Sequence, residues 1–261
     1  MIYLRSENEI AKIKESNQIV YKTLEVLSKE MKPGITTRQL DQIAEDFIRS
    51  QGARPAFKGY NGFPASICAS IDDQVVHGIP SNRVLQEGEI VGIDVGAEKD
   101  GYYGDSAYTF AIGTIDSAKE RLMTVTREAL YRGIAKAVPG GKLSDIGNAV
   151  QSHAEGEGYS VIRVLVGHGI GRELHESPEV PNYGRPGHGP ELRVGMCLAI
   201  EPMVNLGQHD VVTLDDGWTI VTADHSPSAH YEHSIAITEN GPMILSDHAD
   251  GMENLLWPKN D

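Results

Sequence analysis

The 261-residue chain predicts an α+β fold of two pseudo-symmetric halves, and three observations predict it. Amphipathic stretches of helical period and short apolar runs of strand type alternate in the order helices, strands, helices, strands. Four local patterns of the first half recur in the same order in the second. The polar residues that interrupt the apolar runs are also chemically alike in both halves: aspartate, glutamate and histidine.

Taken in order, Ile10, Ile13, Val20, Leu24, Leu27 and Met31 keep helical spacing, with Asn17 as the polar member of the series. Ser6 with Glu9 fits a capping box at the start of this helix, and Pro33-Gly34 is expected to end it. Thr36 or Thr37 then caps a second helix through Leu40, Ile43, Phe47 and Ile48, which Gly52 stops. From residue 64 the texture changes, and PASICASI, EIVGIDVGA and GYYGDSAYTFAIG read as strands separated by turns. Helical patterns return at about 117–138, with Ser117 and Glu120 as a capping pattern, and at 144–157; strands return from about 160 to 239.

The repetition is visible in particular residues. Pro33-Gly34 before a capped helix recurs as Pro139-Gly140, and His77-Gly-Ile recurs as His168-Gly-Ile. Gly88-EIVGI-Asp94 matches Gly195-MCLAI-Glu201 in spacing, and Tyr103-Gly-Asp105-SAYTFAI resembles His230-Tyr-Glu232-HSIAI. Chance explains any one pair as well as duplication does, but four collinear pairs argue against it. The expectation is a single catalytic domain, 1–261, with halves of about 1–115 and 116–250.

Five of the interrupting residues, Asp94, Asp105, His168, Glu201 and Glu232, form a natural shell for two divalent cations. Four carboxylates carry −4 and two such cations carry +4, so the cluster balances only with metal. Oxygen-dominated ligation with one nitrogen suits Mn, Fe, Co, Mg or Zn rather than copper, and the lack of cysteine ligands argues against a structural zinc site. An approximate two-fold axis would set Asp94 opposite Glu201 and Asp105 opposite Glu232, with the metals near the axis. Of the paired histidines His77 and His168, one then serves as a ligand and the other as a catalytic group.

Composition narrows the field further. Forty per cent hydrophobic residues supply a substantial core, and a net charge of −14 argues against broad attraction to nucleic acid or anionic membrane. No apolar run reaches the roughly 18 residues of a membrane span, and MIYLRSENEIAKIKES lacks a signal-peptide core, so the chain is expected in the cytoplasm. Cys68 and Cys197 each sit in an apolar run and are expected as buried free thiols rather than a disulfide. Gly167-x-Gly169-x-Gly171 lacks the spacing and setting of a dinucleotide loop. His153, His188, His209, His225, His230, His233 and His248 show no comparable pattern and are expected in surface or local structural roles.

Across residues 3–245 the chain resembles the type I methionine aminopeptidases of the pita-bread metallopeptidase family. The resemblance rests on HGIP at 77–80, IDVG at 93–96, YYGDSA at 102–107, GHGIGRELHESP at 167–178, AIEPMV at 199–204 and YEHSIAIT at 231–238. It implies antiparallel sheets around a central dinuclear site holding two divalent ions of Co, Mn, Fe, Zn or Ni. Asp105 and Glu232 would bridge both ions, Asp94 would chelate one, and His168 with Glu201 would complete the other. His77 and His175 would be catalytic without binding metal, and Phe57, Tyr60, Phe63, Cys68, Leu174 and Trp218 would line a methionine pocket. Phe57 and Leu174 depart from the commonest residues at their positions. The 26-residue step from His175 to Glu201 leaves no room for the helical insertion of type II.

A metal pair about 3.5–4 Å apart can share a water and lower its pKa toward neutrality. Glu201 is expected to carry its proton to the departing amine, His175 to stabilise the developing oxyanion and His77 to hydrogen-bond the scissile nitrogen. Only an unblocked N-terminus would be cut, and the resemblance implies a small second residue. The partners expected are N-termini of nascent polypeptides, with the ribosome near its exit tunnel as a second candidate that would need a local basic patch; a monomer without membrane or sequence-specific nucleic-acid binding is expected. The alternatives are a proline-directed Xaa-Pro aminopeptidase or dipeptidase, which usually carries a preceding domain, and a non-catalytic module that keeps the fold for protein or RNA contacts.

Overall fold

A computed structural model describes residues 1–247, so His248 lies outside the described residues. Helix α1 spans Glu7–Ser28 and begins with the expected capping box, Ser6 and Glu9 satisfying each other's backbone N–H groups. It stops at Ser28 rather than at Pro33, and the turn beyond it still packs Met31 against the core, so apolar spacing outlasts the helix. Helix α2, Thr37–Ser50, is capped by Thr36, with Gln39 closing a second capping box. Helix α3, Ser117–Ile134, is capped by Asp116 rather than by a Ser117–Glu120 pair: the Asp116 carboxylate accepts from the Lys119 backbone N–H at 2.9 Å. Helix α4 runs from Leu143 to Gly156.

Two antiparallel sheets carry the functional strands. In the first, the ten-residue strands Ile90–Lys99 and Tyr102–Ala111 form a hairpin, and Ile67–Ile71 pairs with the hairpin's first strand. In the second, the order in space is Gly241–Ile244, His233–Thr238, Cys197–Ile200, Gly167–Gly169, Glu176–Val180. Strands thus continue a little past the expected residue 239.

Matched hydrogen bonds run through the repeated patterns. Gly34 N–H donates to Leu85 O at 2.9 Å, and Gly140 N–H donates to Leu192 O at 2.8 Å. Gly88 and Gly195, both at positive φ near 90°, donate to Ile112 O and Ile237 O at 2.9 Å each. The main apolar cluster joins both parts, with Leu24, Leu40 and Ile93 in the same cluster as Leu122, Val150, Leu198 and Ile235. Truncating one such fully buried leucine to alanine costs about 2–5 kcal/mol.

Helix α1 also sets the height of the hairpin. Ser16 Oγ donates to Tyr102 O at 2.8 Å, and Asn17, the polar member of the helical series, is fully buried with its Oδ1 accepting the Asp105 backbone N–H at 3.2 Å. A Cβ on Gly104 would lie 2.5 Å from the Asn17 nitrogen, so the residue before Asp105 is glycine because a helix backbone occupies that space. Cys68 and Cys197 are free and buried, and among the described residues no helix is long and apolar enough to cross a membrane.

Candidate metal centre

The hairpin positions two carboxylates by register alone. Asp94 is paired with Ala107 and Asp105 with Gly96, so the two aspartates are diagonal neighbours on one face of the sheet. The second sheet contributes the others. Ile200 pairs with His233, so Glu201 and Glu232 extend the same pairing at the mouth of two strands, and His168, opposite Ala199, projects beside them.

The sheets are stitched together where these groups meet. Ser106 Oγ donates to Glu232 O at 2.6 Å and Ser234 Oγ donates to Asp105 O at 2.8 Å, a reciprocal exchange around the two acidic residues. The Glu232 backbone N–H donates to Ala107 O at 2.9 Å. The carboxylates are therefore held by backbone fixed across both sheets.

His168 Nε2 lies 3.8 Å from Asp105 Oδ2 and 3.6 Å from Glu201 Oε1. One ligand atom each from Asp105, His168 and Glu232 falls within 4.8 Å of the others, as does one each from Glu201, His230 and Glu232; Asp94 adjoins Asp105 outside these triads. Oδ1 of Asp94, Oδ1 of Asp105 and Oε1 of Glu232 are buried without a hydrogen-bond partner. Leaving a buried polar atom unpaired costs about 1–3 kcal/mol, more when it is charged, so these oxygens fit a site that cations complete.

Electrostatics point the same way. Burial raises the Asp94 pKa to about 7 and that of Glu201 to about 8. Burial first, then the neighbouring carboxylates, pushes Asp105 and Glu232 well above their ordinary range. Burial also lowers His168 to about 3, keeping it neutral, and its Nδ1 sits 2.9 Å from Gly169 O; with the proton there, the Nε2 lone pair faces the carboxylates.

A cavity of about 220 Å³ opens onto this cluster, and every residue expected from the sequence lines it: Phe57, Tyr60, Phe63, Cys68, His77, Leu174, His175 and Trp218 with the five acidic and imidazole groups. His175 stacks edgewise on His168 at 4.3 Å between ring centroids, and its Nδ1 is 2.7 Å from the Tyr60 hydroxyl. His77 stands edge-on to Trp218, which in turn packs edgewise on Phe63 at 5.1 Å. Burial lowers the pKa of His77 to about 4, and burial with His77 lowers that of His175, so both rings are uncharged near neutral pH. The Cys68 thiol is held protonated by burial and by Asp94.

Two residues escaped the sequence reading. Asn61, at positive φ between Gly59 and Gly62, joins the cavity wall. His230, expected in a local structural or surface role, is buried with Nε2 3.5 Å from Glu201 Oε2. The available signal was parity, since residues 230 and 232 share a face of an extended chain. The other described histidines keep local roles, His233 bridging Ser246 and Tyr131, His153 facing Glu128 and His225 facing Asp73.

Comparison with known proteins matches this geometry to a family. A model of metallopeptidase family M24 matches residues 11–239. Methionine aminopeptidase 1 of Bacillus subtilis is 52% identical over 246 residues, covering 94% of this chain and 99% of the relative. The structure of methionine aminopeptidase from Thermotoga maritima superposes with a TM-score of 0.94 at 45% identity, covering 95% of this chain and 100% of that one. The prolidase from Pyrococcus horikoshii superposes with a TM-score of 0.76 at 24% identity over 94% of this chain and 63% of the prolidase, a likeness of fold alone. The architecture is the pita-bread fold that those structures share.

Proposed function

The chain belongs to metallopeptidase family M24, among the type I methionine aminopeptidases, and from that premise we propose that it removes N-terminal methionine from nascent proteins and peptides, preferring a small second residue. One observation carries the reading: buried carboxylate oxygens without protein partners meet three uncharged imidazoles in one apolar-walled cavity. The chain acts as a single catalytic domain whose halves, about 1–115 and 116–250, each supply part of the site.

In this reading Asp94 and Asp105 from one half and His168, Glu201 and Glu232 from the other would hold two divalent cations; Co, Mn, Fe, Zn and Ni are the candidates. When bound, the cations supply Lewis acidity that activates water and polarises the first peptide carbonyl. Glu201 accepts the attacking water's proton and delivers it to the departing amine. With the Tyr60 hydroxyl donating to Nδ1 of His175, the ring's own proton sits on Nε2, where it can be donated to the oxygen that gains charge. His77 hydrogen-bonds the scissile nitrogen, and its neutral ring needs no counter-ion to do so.

The side-chain pocket is apolar where a thioether would rest, with Phe57, Phe63, Cys68 and Leu174 buried in one cluster and Tyr60 and Trp218 packed on it. A monomer working in the cytoplasm on chains emerging from the ribosome goes with this reading; sedimentation and co-pelleting with ribosomes test it. The decisive assay offers metal-loaded protein Met-Ala-Ser, Met-Leu-Ser and an Ala-Pro peptide. Methionine released fastest from Met-Ala-Ser is expected, and preference for the Ala-Pro peptide would sink the reading.

A further inference from the structure

We propose that His230 is a positioning residue that donates a hydrogen bond from Nε2 to Oε2 of Glu201 and so fixes the rotation of that carboxylate. The inference rests on the reading of Glu201 as the proton carrier. A carboxylate's last torsion is broad and roughly two-fold, so a glutamate that must receive a proton in one geometry needs an outside partner to set its plane.

The structure supplies that partner on a rigid mount. His230 ends the strand Ser228–His230, where it pairs with Met203. Its backbone is clamped by one side chain of the other half: Thr109 Oγ1 donates to His230 O at 2.8 Å and accepts from His230 N–H at 3.0 Å. The side chain is 3% exposed and its Nε2 has no partner in hydrogen-bonding geometry. The backbone of Glu201 is held too, since Asn182 Nδ2 donates to Glu201 O at 3.0 Å.

Glu201 is therefore bracketed by two imidazoles, His168 at 3.6 Å from Oε1 and His230 at 3.5 Å from Oε2. The two rings play different parts. With its proton on Nδ1 at Gly169 O, His168 turns a lone pair toward the cluster. Nε2 of His230 faces carboxylate oxygens of Glu201 and Glu232, and a lone pair there would repel them, whereas an N–H has Glu201 Oε2, 3.5 Å away, to donate to. With Oε2 held by His230, Oε1 stays on the His168 side.

The test uses the full chain, zinc-loaded and labelled with 15N-histidine. Nε2 of His230 should appear as a protonated, pyrrole-type nitrogen; its signal should vanish in His230→Gln and move in Glu201→Gln. A pyridine-type Nε2 would overturn the proposal. In kinetics His230→Ala should lower kcat about 10- to 100-fold, the worth of a hydrogen bond to a charged group, with KM within about twofold. His230→Gln, whose amide N–H can reach the same oxygen, should recover to within about threefold of the native kcat. Zinc affinity by calorimetry should stay within about twofold of native in His230→Gln, which keeps the hydrogen bond, and weaken about 10- to 100-fold in His230→Ala, as loss of a partner that orients a ligand does; an equal loss in both variants would make His230 a ligand and refute the positioning role. If His230→Ala does not fold, His230→Gln and the nitrogen spectrum still decide. Native kcat in Glu201→Gln would remove the proton-carrier reading of Glu201, while the Nε2 signal would report on the hydrogen bond independently.

Discussion

Two similar stretches of extended chain, Tyr103-Gly104-Asp105 and His230-Tyr231-Glu232, each seat an acidic residue at the metal centre, by different means. In the first, α1 presses on the strand so closely that only glycine fits before the acid, and Asn17 of that helix binds the Asp105 N–H. In the second, the residue before the acid is the buried Tyr231, whose hydroxyl donates to Thr109 O at 3.1 Å. The first half obtains two site carboxylates from one continuous hairpin. The second half collects His168, Glu201 and Glu232 from three separate segments. A local register suffices for the one, whereas tertiary assembly is required for the other.

Asp105 stands where the two sheets meet, and its removal should have the largest effect. Asp105→Asn should lose metal, read by elemental analysis, and lower kcat/KM about a thousandfold or more, since the water activation depends on the cations. His77→Ala should keep its metal and lower kcat about a hundredfold, within the range of a proton-handling or hydrogen-bonding side chain. Equal metal loss in both variants would abolish the division between ligand and catalytic histidine.

Metal removal tests whether the mutual repulsion of the two halves' carboxylates is held in check by cations. In the metal-free protein Asp94 and Glu201 have folded pKa values raised to about 7 and about 8, above their unfolded values near 4. A raised folded pKa means the fold binds the proton more tightly, so this stabilisation is present below pH ~4 and is lost as pH rises through ~7 and ~8. The melting temperature of chelated protein should therefore fall between pH 6 and pH 9, and cation binding should flatten that dependence. Parallel melting curves with and without metal would contradict it.

Smaller effects separate the two ways of seating an acidic residue. Gly104→Ala should destabilise by about 1–3 kcal/mol by overpacking against α1, measured as a lower urea midpoint with unchanged slope. An unchanged midpoint would mean that the helix yields and does not set the hairpin. Tyr60→Phe removes the 2.7 Å contact to His175, a hydrogen bond worth about 0.5–1.5 kcal/mol, and should lower kcat only a few-fold without metal loss.

Much of the fold was legible because its signals are local. The capping boxes at Ser6–Glu9 and Thr36–Gln39 form as spaced, and the repeated Pro-Gly and Gly-to-acid patterns make matching hydrogen bonds. The sequence misplaced the α3 cap by one residue, since aspartate and serine side by side both satisfy the capping rule and only the helix start decides between them. It also ran α1 too far, because Met31 stays in apolar register after the helix has ended. His230 was missed because an imidazole alone in sequence carries no sign of burial, and its neighbour Glu201 lies on a different strand.

The order of elements, the repeated local patterns and the chemical types that could meet at the centre are all written in the chain, because they are properties of spacing and side-chain chemistry. Folding alone brings Asn17 of α1 against Gly104, Thr109 around the His230 backbone and His230 to face Glu201. Those contacts join residues far apart along the chain, and no periodicity records them, because their geometry exists only once two sheets share a core.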